Sequence, residues 1–382
     1  MLKEIPHTTK RVTCYNFFDL LRFIAAIMIA CFLHFHDHFI PTLNIPNPFR
    51  PYRLLWMFST ESYIFVELFF IISGILFIHA YYPQIGESAK GIYYSFDKFM
   101  LHRAIRIYPV VILTATVMFI TEYVLYRTHN PLWRGNVDLV GLMLNYIFGG
   151  GTVLQIPKAV NGPAWYIGVL MPCYIIAYIL TLFHKKFNVY LLWAIPICLG
   201  IVFIYQNSHI PFMTLDFGRG LVAFFEGCIF EFLRLKVQLS PKCKSYLKVV
   251  SAFVIIISFA YMYNHDHGYK LIHNLVLYYD FYIFPALIFL LMHCDWLNKI
   301  CSSKFIKELG NISYGIYLWN FPIYAFVFMC IKISHTPSDW ILLHWKLIWV
   351  GILAIHILVG ILSYHLYEKA VANRLNKYIC KF

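Results

Sequence analysis

The chain has 382 residues, of which 60% are hydrophobic and only 13% charged, about half the charged fraction of an ordinary soluble domain. Its formal net charge is +13. These values exclude a soluble globular fold, and they make membrane sidedness, rather than nucleic-acid binding, the first explanation of the excess of Lys and Arg.

Apolar runs of about 20 residues recur along the chain, each long enough to cross a hydrocarbon core. They do not alternate in polarity, as the strands of a membrane β-barrel would. The expected fold is therefore all-α and polytopic. Ten spans are predicted, near 17–36, 60–81, 105–125, 164–183, 188–206, 218–233, 246–264, 274–293, 312–331 and 347–367. With the N-terminus in the cytoplasm, 21 of the 31 Lys and Arg fall on the cytoplasmic side and eight on the other, so both termini are placed inside. No internal repeat or low-complexity stretch divides the chain, and residues 1–382 read as one membrane domain. The polar Met1–Tyr15 and the long first apolar run do not resemble a cleavable signal peptide. The ten cysteines fall in spans or cytoplasmic segments, so no disulfide framework is expected.

The first span carries charge at both ends. Asp19 and Arg22 open it; His34, His36, Asp37 and His38 close it. An intramembrane arginine is expensive and marks a candidate site, although Arg22 could also snorkel to the interface. The second span holds Glu67 in FVELFFIISGILF. A carboxylate there must be neutral or paired, and Arg22 is its nearest partner in sequence; otherwise Glu67 only sets depth. Ser73-Gly74 offers a point of close helix approach. At the membrane surface where the third span begins, Arg103 and Arg106 in HRAIRIYP share one helix face, suited either to forked phosphate contacts or to plain anchoring. Residues 126–163 form a long external segment, a candidate lid or acceptor surface. Trp165 and Tyr166 fit an interfacial aromatic belt. Arg219 and Glu226 on the sixth span and Asp280 on the eighth are expected to be buried structural pair members.

In order, these pieces resemble the acyltransferase-three membrane family of bacterial surface-carbohydrate O-acyltransferases. The resemblance covers roughly 16–370. It rests on FFDLLRFIAAIMIACFLHF, FVELFFIISGILF, HRAIRIYP, AWYIGVLMPCY, FFEGCIF and LGNISYGIYLWNFPIY, with LYEK near the C-terminus. The chain departs from the family at several points. Eleven residues separate Arg22 from His34 where the family usually has ten. A step of twelve turns about 120° around a helix, so the two share a face only if a π-turn bulges between them. His36 lies about 40° off Arg22's face with no bulge. Leu170, Asn320 and Ala370 stand where many members have Glu, His and Pro.

The resemblance implies an O-acyltransferase, most simply an O-acetyltransferase, multi-pass in the bacterial inner membrane. Acetyl-CoA would be the donor and a polysaccharide, lipopolysaccharide or lipid-linked glycan the acceptor. In that scheme His34, or alternatively His36, is the general base, Arg22 and Glu67 orient it or stabilise charge, and Arg103 and Arg106 hold the phosphates of acyl-CoA. No metal is expected, because HFHDH at 34–38 matches no strong ligand spacing. Two other classes are a glycan or lipid-linked-intermediate transporter, which intramembrane charges also suit, and the unrelated membrane-bound histidine acyltransferases, whose key His lies in a later helix.

Overall fold

The computed structural model describes residues 16–85, 95–128, 138–150, 153–156, 160–183, 189–206, 208–264 and 272–379. The basic lead at 1–15 and, within the long segment 126–163, residues 129–137, 151–152 and 157–159 lie outside the described residues. Every regular element among the described residues is helical. In chain order they are α1 (Phe17–Ile27), α2 (Arg53–Glu61), α3 (Phe65–Ile85), α4 (Phe96–Arg127), α5 (Leu139–Phe148), α6 (Trp165–Leu182), α7 (Val189–Gln206) and α8 (Leu215–Lys236). These are followed by α9 (Pro241–Asn264), α10 (Ile272–Tyr278), α11 (Phe284–Met292), α12 (Asp295–Cys301), α13 (Lys304–Ile333), α14 (Ser338–Leu343), α15 (Trp345–Leu362) and α16 (Lys369–Ile379).

Where they are described, all ten predicted spans fall on helix. Among the described residues, eight helical stretches are long and apolar enough to cross a membrane. The two others fall short for different reasons. In α7 the described apolar stretch, Leu191–Gln206, is short of a full crossing. In α8 the limit is charge, because it carries Asp216, Arg219, Glu226, Glu231, Arg234 and Lys236. Its residues 217–228 are all buried. The helix runs inside the bundle, where neighbouring protein rather than lipid surrounds its polar groups.

The packing of α8 explains its position. It lies against α3 and α7 along much of its length, and glycines allow this closeness. A Cβ on Gly74 would strike the carbonyl of Phe224, and one on Gly227 the carbonyl of Ile71. The small Ser73-Gly74 site of the sequence is thus the point where α3 meets α8. By contrast α9 stands at the periphery, with Phe253, Ile256 and Ile257 at least 60% exposed, as a lipid-facing helix should be.

The long segment between α4 and α6 is not simply an external loop. Asp138 caps α5 by accepting from the amide of Val140. The helix then packs along α4, where Thr116 and Tyr146 join hydroxyls at 2.7 Å. Gly149, at φ 68°, ends it in the left-handed conformation and abuts the carbonyl of Ala164. The returning chain is held by Asn161. Its backbone amide donates to Asn145 Oδ1 (2.7 Å), and its side-chain amide donates to Thr114 Oγ1 (3.1 Å) and the Leu318 carbonyl (3.0 Å). One buried side chain therefore ties this segment to α4 and α13, which argues against a free lid.

Candidate active site

The site is built along α1 and its partner α13. Near its start Arg22 donates to Asp19. Asp19 packs on Gly310 of α13, where any side chain would collide with its carboxylate. Beyond Ile27 the helix widens into two π-helical stretches, Met28–Leu33 and Phe35–Phe39. The bulge required by the twelve-residue step from Arg22 to His34 is therefore present. Two carbonyls in the widened turns take bonds from neighbouring helices. Tyr324 Oη donates to the Ala30 carbonyl at 2.7 Å, and Trp349 Nε1 to that of Cys31 at 2.7 Å. Both aromatic residues stabilise a backbone form that is rare elsewhere and recurs at functional sites.

The bulge turns His34 toward α13. Its Nδ1 meets the side-chain amide of Asn320, which is fully buried. The His34 ring makes edge contacts with His38 and Phe321, each at 5.1 Å between centroids. His36 faces elsewhere: its Nδ1 meets the carboxylate of Asp37, and its ring lies 4.9 Å from that of Trp56 on α2. The two candidate bases thus occupy different surroundings, and His34 is the one set between α1 and α13. His356 on α15 lies within electrostatic reach of His34. It is fully buried, its Nδ1 meets the Ile352 carbonyl, and its Nε2 has no partner. His356 is not among the candidates named from the sequence, although a histidine inside the apolar last span is a visible signal.

At the other end of α1, three arginines converge. Arg106 lies within electrostatic reach of both Arg22 and Arg103. Arg103 sits between aromatic faces, its guanidinium carbon 4.6 Å from the ring of Tyr81 and 4.9 Å from that of Tyr174. Its Nε and that of Arg22 are buried and have no partner. Ser363 donates to Glu368 at 2.7 Å, and Glu368 lies against Gly315 within reach of Arg106. The closing Glu-Lys of the sequence therefore belongs to this same end. Like charges gathered in this way repel unless an anion joins them, and guanidinium groups are well suited to phosphate.

Glu67 does not pair with Arg22, as the sequence suggested. Arg219 on α8 donates to it, and also to Asp216 (3.3 Å) and the Tyr63 carbonyl (3.3 Å). Arg219 further lies 5.4 Å from the ring of Trp165, so Trp165 packs on an interior cation instead of marking a membrane belt. The reason is topological: α8 packs tightly on α3, whereas Arg22 is tied to Asp19 on its own helix. The expectation of paired acids holds only in part. Both oxygens of the fully buried Asp280 and Oε2 of Glu226 lack partners. Among the described residues, no three His, Cys, Asp or Glu side chains are grouped so as to hold a metal ion.

Known proteins share this chain's sequence pattern. The protein "Putative O-acetyltransferase SACOL0978" of Staphylococcus aureus (strain COL) is 24% identical over 305 residues, 72% of this chain and 48% of that protein. Peptidoglycan O-acetyltransferase OatA of Listeria monocytogenes serovar 1/2a is 23% identical over 320 residues, 76% of this chain and 49% of its own length. The chain spans about half the length of these relatives. No solved structure matches it. A family model described as "Acyltransferase domain" matches residues 15–365, and with nearly its whole length inside that match, the chain belongs to this acyltransferase family.

Proposed function

We propose that the protein is a membrane O-acetyltransferase that takes acetyl from cytoplasmic acetyl-CoA and delivers it to a hydroxyl of a cell-surface glycan. The observation that carries this reading is the convergence of Arg22, Arg103 and Arg106 at one end of α1, with His34 near the other. Twelve residues at about 1.5 Å each separate Arg22 from His34 by roughly 18 Å. That distance suits a donor held by its phosphates at the basic end and an acceptor arriving from the far side. By the positive-inside rule the basic end is cytoplasmic.

In the transfer, the acceptor oxygen attacks the thioester carbonyl, the carbon–sulfur bond breaks, and CoA leaves as a thiol after gaining a proton. His34 takes the hydroxyl proton as general base. For Nε2 to act, Nδ1 must carry hydrogen and donate, which requires Asn320 to present Oδ1 to the ring. A half-turn of the amide provides this, and Asn320 then fixes the tautomer. The Glu67–Arg219 pair acts indirectly, by holding α3, α8 and Trp165 in place.

Acceptors of the O-antigen or polysaccharide type and peptidoglycan both fit this scheme. OatA of Listeria, by its name, uses the latter. The test is alkali-labile acetate on each isolated glycan from cells with and without the gene. Acetate should vanish from one glycan and return with the wild-type gene but not with His34→Ala. Intact transfer in both His34→Ala and His36→Ala would refute the mechanism. Unchanged acetate with altered glycan export would replace it with a transporter.

A further inference from the structure

A second site opens at the basic end of the bundle, apart from the arginine cluster. It is a cavity of about 1080 Å³ bounded by the start of α1, the ends of α8 and α11, the start of α9, and α12. Phe17 lines it, whereas Arg22 five residues on faces away, about 140° around α1. One wall is apolar, made by Phe230, Leu233, Phe289 and Met292. The polar side carries Arg234, Lys244 and Lys299, opposed by the single lining acid Asp295. Both Arg234 nitrogens Nε and Nη2 are tied to Glu231 at 2.8 Å. The exposed Lys244 and Lys299 are therefore left to meet an anion.

We infer that this cavity binds an anionic glycerophospholipid, with its phosphate on Lys244 and Lys299 and its chains along the apolar wall. Three features favour that occupant. Basic pockets between membrane helices on the cytoplasmic side suit acidic headgroups. A soluble anion would leave the apolar wall wet. The peripheral α9, whose outer face is exposed and apolar, puts the cavity beside the lipid itself. The bound lipid fills the space between α8 and α9 and secures the outer helix to the bundle.

The test uses the full-length protein, purified and stripped of lipid in detergent. Phosphatidylglycerol and phosphatidylcholine are added back separately, and bound lipid is counted by native mass spectrometry. Phosphatidylglycerol should be retained and raise the melting temperature, and phosphatidylcholine should do neither. Each lysine beside a membrane anion is worth about five-fold in affinity, so Lys244→Gln with Lys299→Gln should weaken retention roughly 30-fold. Leu233→Trp, which fills the cavity without changing charge, should abolish it. Equal retention of both lipids, or unchanged retention in the lysine variant, would overturn the inference. A raised KM for acetyl-CoA in that variant, with lipid retention unchanged, would instead assign the cavity to the acyl donor.

Discussion

Glu67 and Arg219 provide the sharpest test of how this bundle is held together. Glu67 is fully buried and the Arg219 side chain is 8% exposed, so solvent screening takes little from their interaction. Removing one partner of a buried ion pair costs about 3–5 kcal/mol, whereas replacing both with apolar residues of similar size is often neutral. Arg219 keeps Asp216 and the Tyr63 carbonyl when Glu67 is lost. Glu67→Met should therefore fall near the low end, about 3 kcal/mol. Glu67 has no second partner for its Oε2, so Arg219→Met should cost at least as much. The double variant should recover to within about 1 kcal/mol of wild type. Reversible unfolding in mixed detergent and SDS measures these differences, and acetyl transfer is followed alongside. Recovery of stability and activity together makes the pair a structural clamp. Recovery of stability alone would show that a charge at Glu67 or Arg219 serves the chemistry. A double variant as unstable as the singles would refute the pairing argument.

Other parts of the site make separate predictions. Asn320→Asp should keep acetyl transfer within about ten-fold, because a carboxylate also accepts from Nδ1, whereas Asn320→Leu should lose about a hundred-fold or more; equal losses would sink the tautomer assignment. Arg103→Lys should raise the KM for acetyl-CoA at least about ten-fold, since lysine cannot keep the planar fork between Tyr81 and Tyr174, and an unchanged KM would remove Arg103 from the donor site. Tyr324→Phe should cost about 1 kcal/mol in the same unfolding assay by leaving the Ala30 carbonyl unbonded, and no measurable loss would mean that the π-turn holds without it.

The helical plan was readable because apolar run length is a direct consequence of bilayer thickness. The bulge in the first span was legible only as a condition, needed if His34 was to share Arg22's face and not if His36 did, and the π-helical stretches meet that condition. Partnerships between helices were not readable in the same way. Glu67 was assigned to Arg22 by nearness in sequence, but its partner stands 152 positions away, brought there by glycine contacts that no periodicity encodes. The aromatic cradle of Arg103 is missing from the sequence reading for the same reason, because Tyr81 and Tyr174 come from different helices. The anchoring of the segment after α5 was also hidden: nothing in 126–163 names its partners until Asn161 is seen to bond to Thr114 and the Leu318 carbonyl.

The character of α8 has a consequence for how the protein is made. A helix bearing Arg219 in its first turns and Glu226 at its centre is a poor substrate for insertion by itself, a charged group at the centre costing up to about 2.5–3.5 kcal/mol. Its counter-charge, Glu67, lies on α3 and leaves the ribosome well before it. The sixth segment is therefore expected to wait at the translocon until it can enter beside α3, and a chain carrying Glu67→Met should insert it more slowly and less completely, detectable as a raised glycosylated fraction of a reporter site placed in that segment.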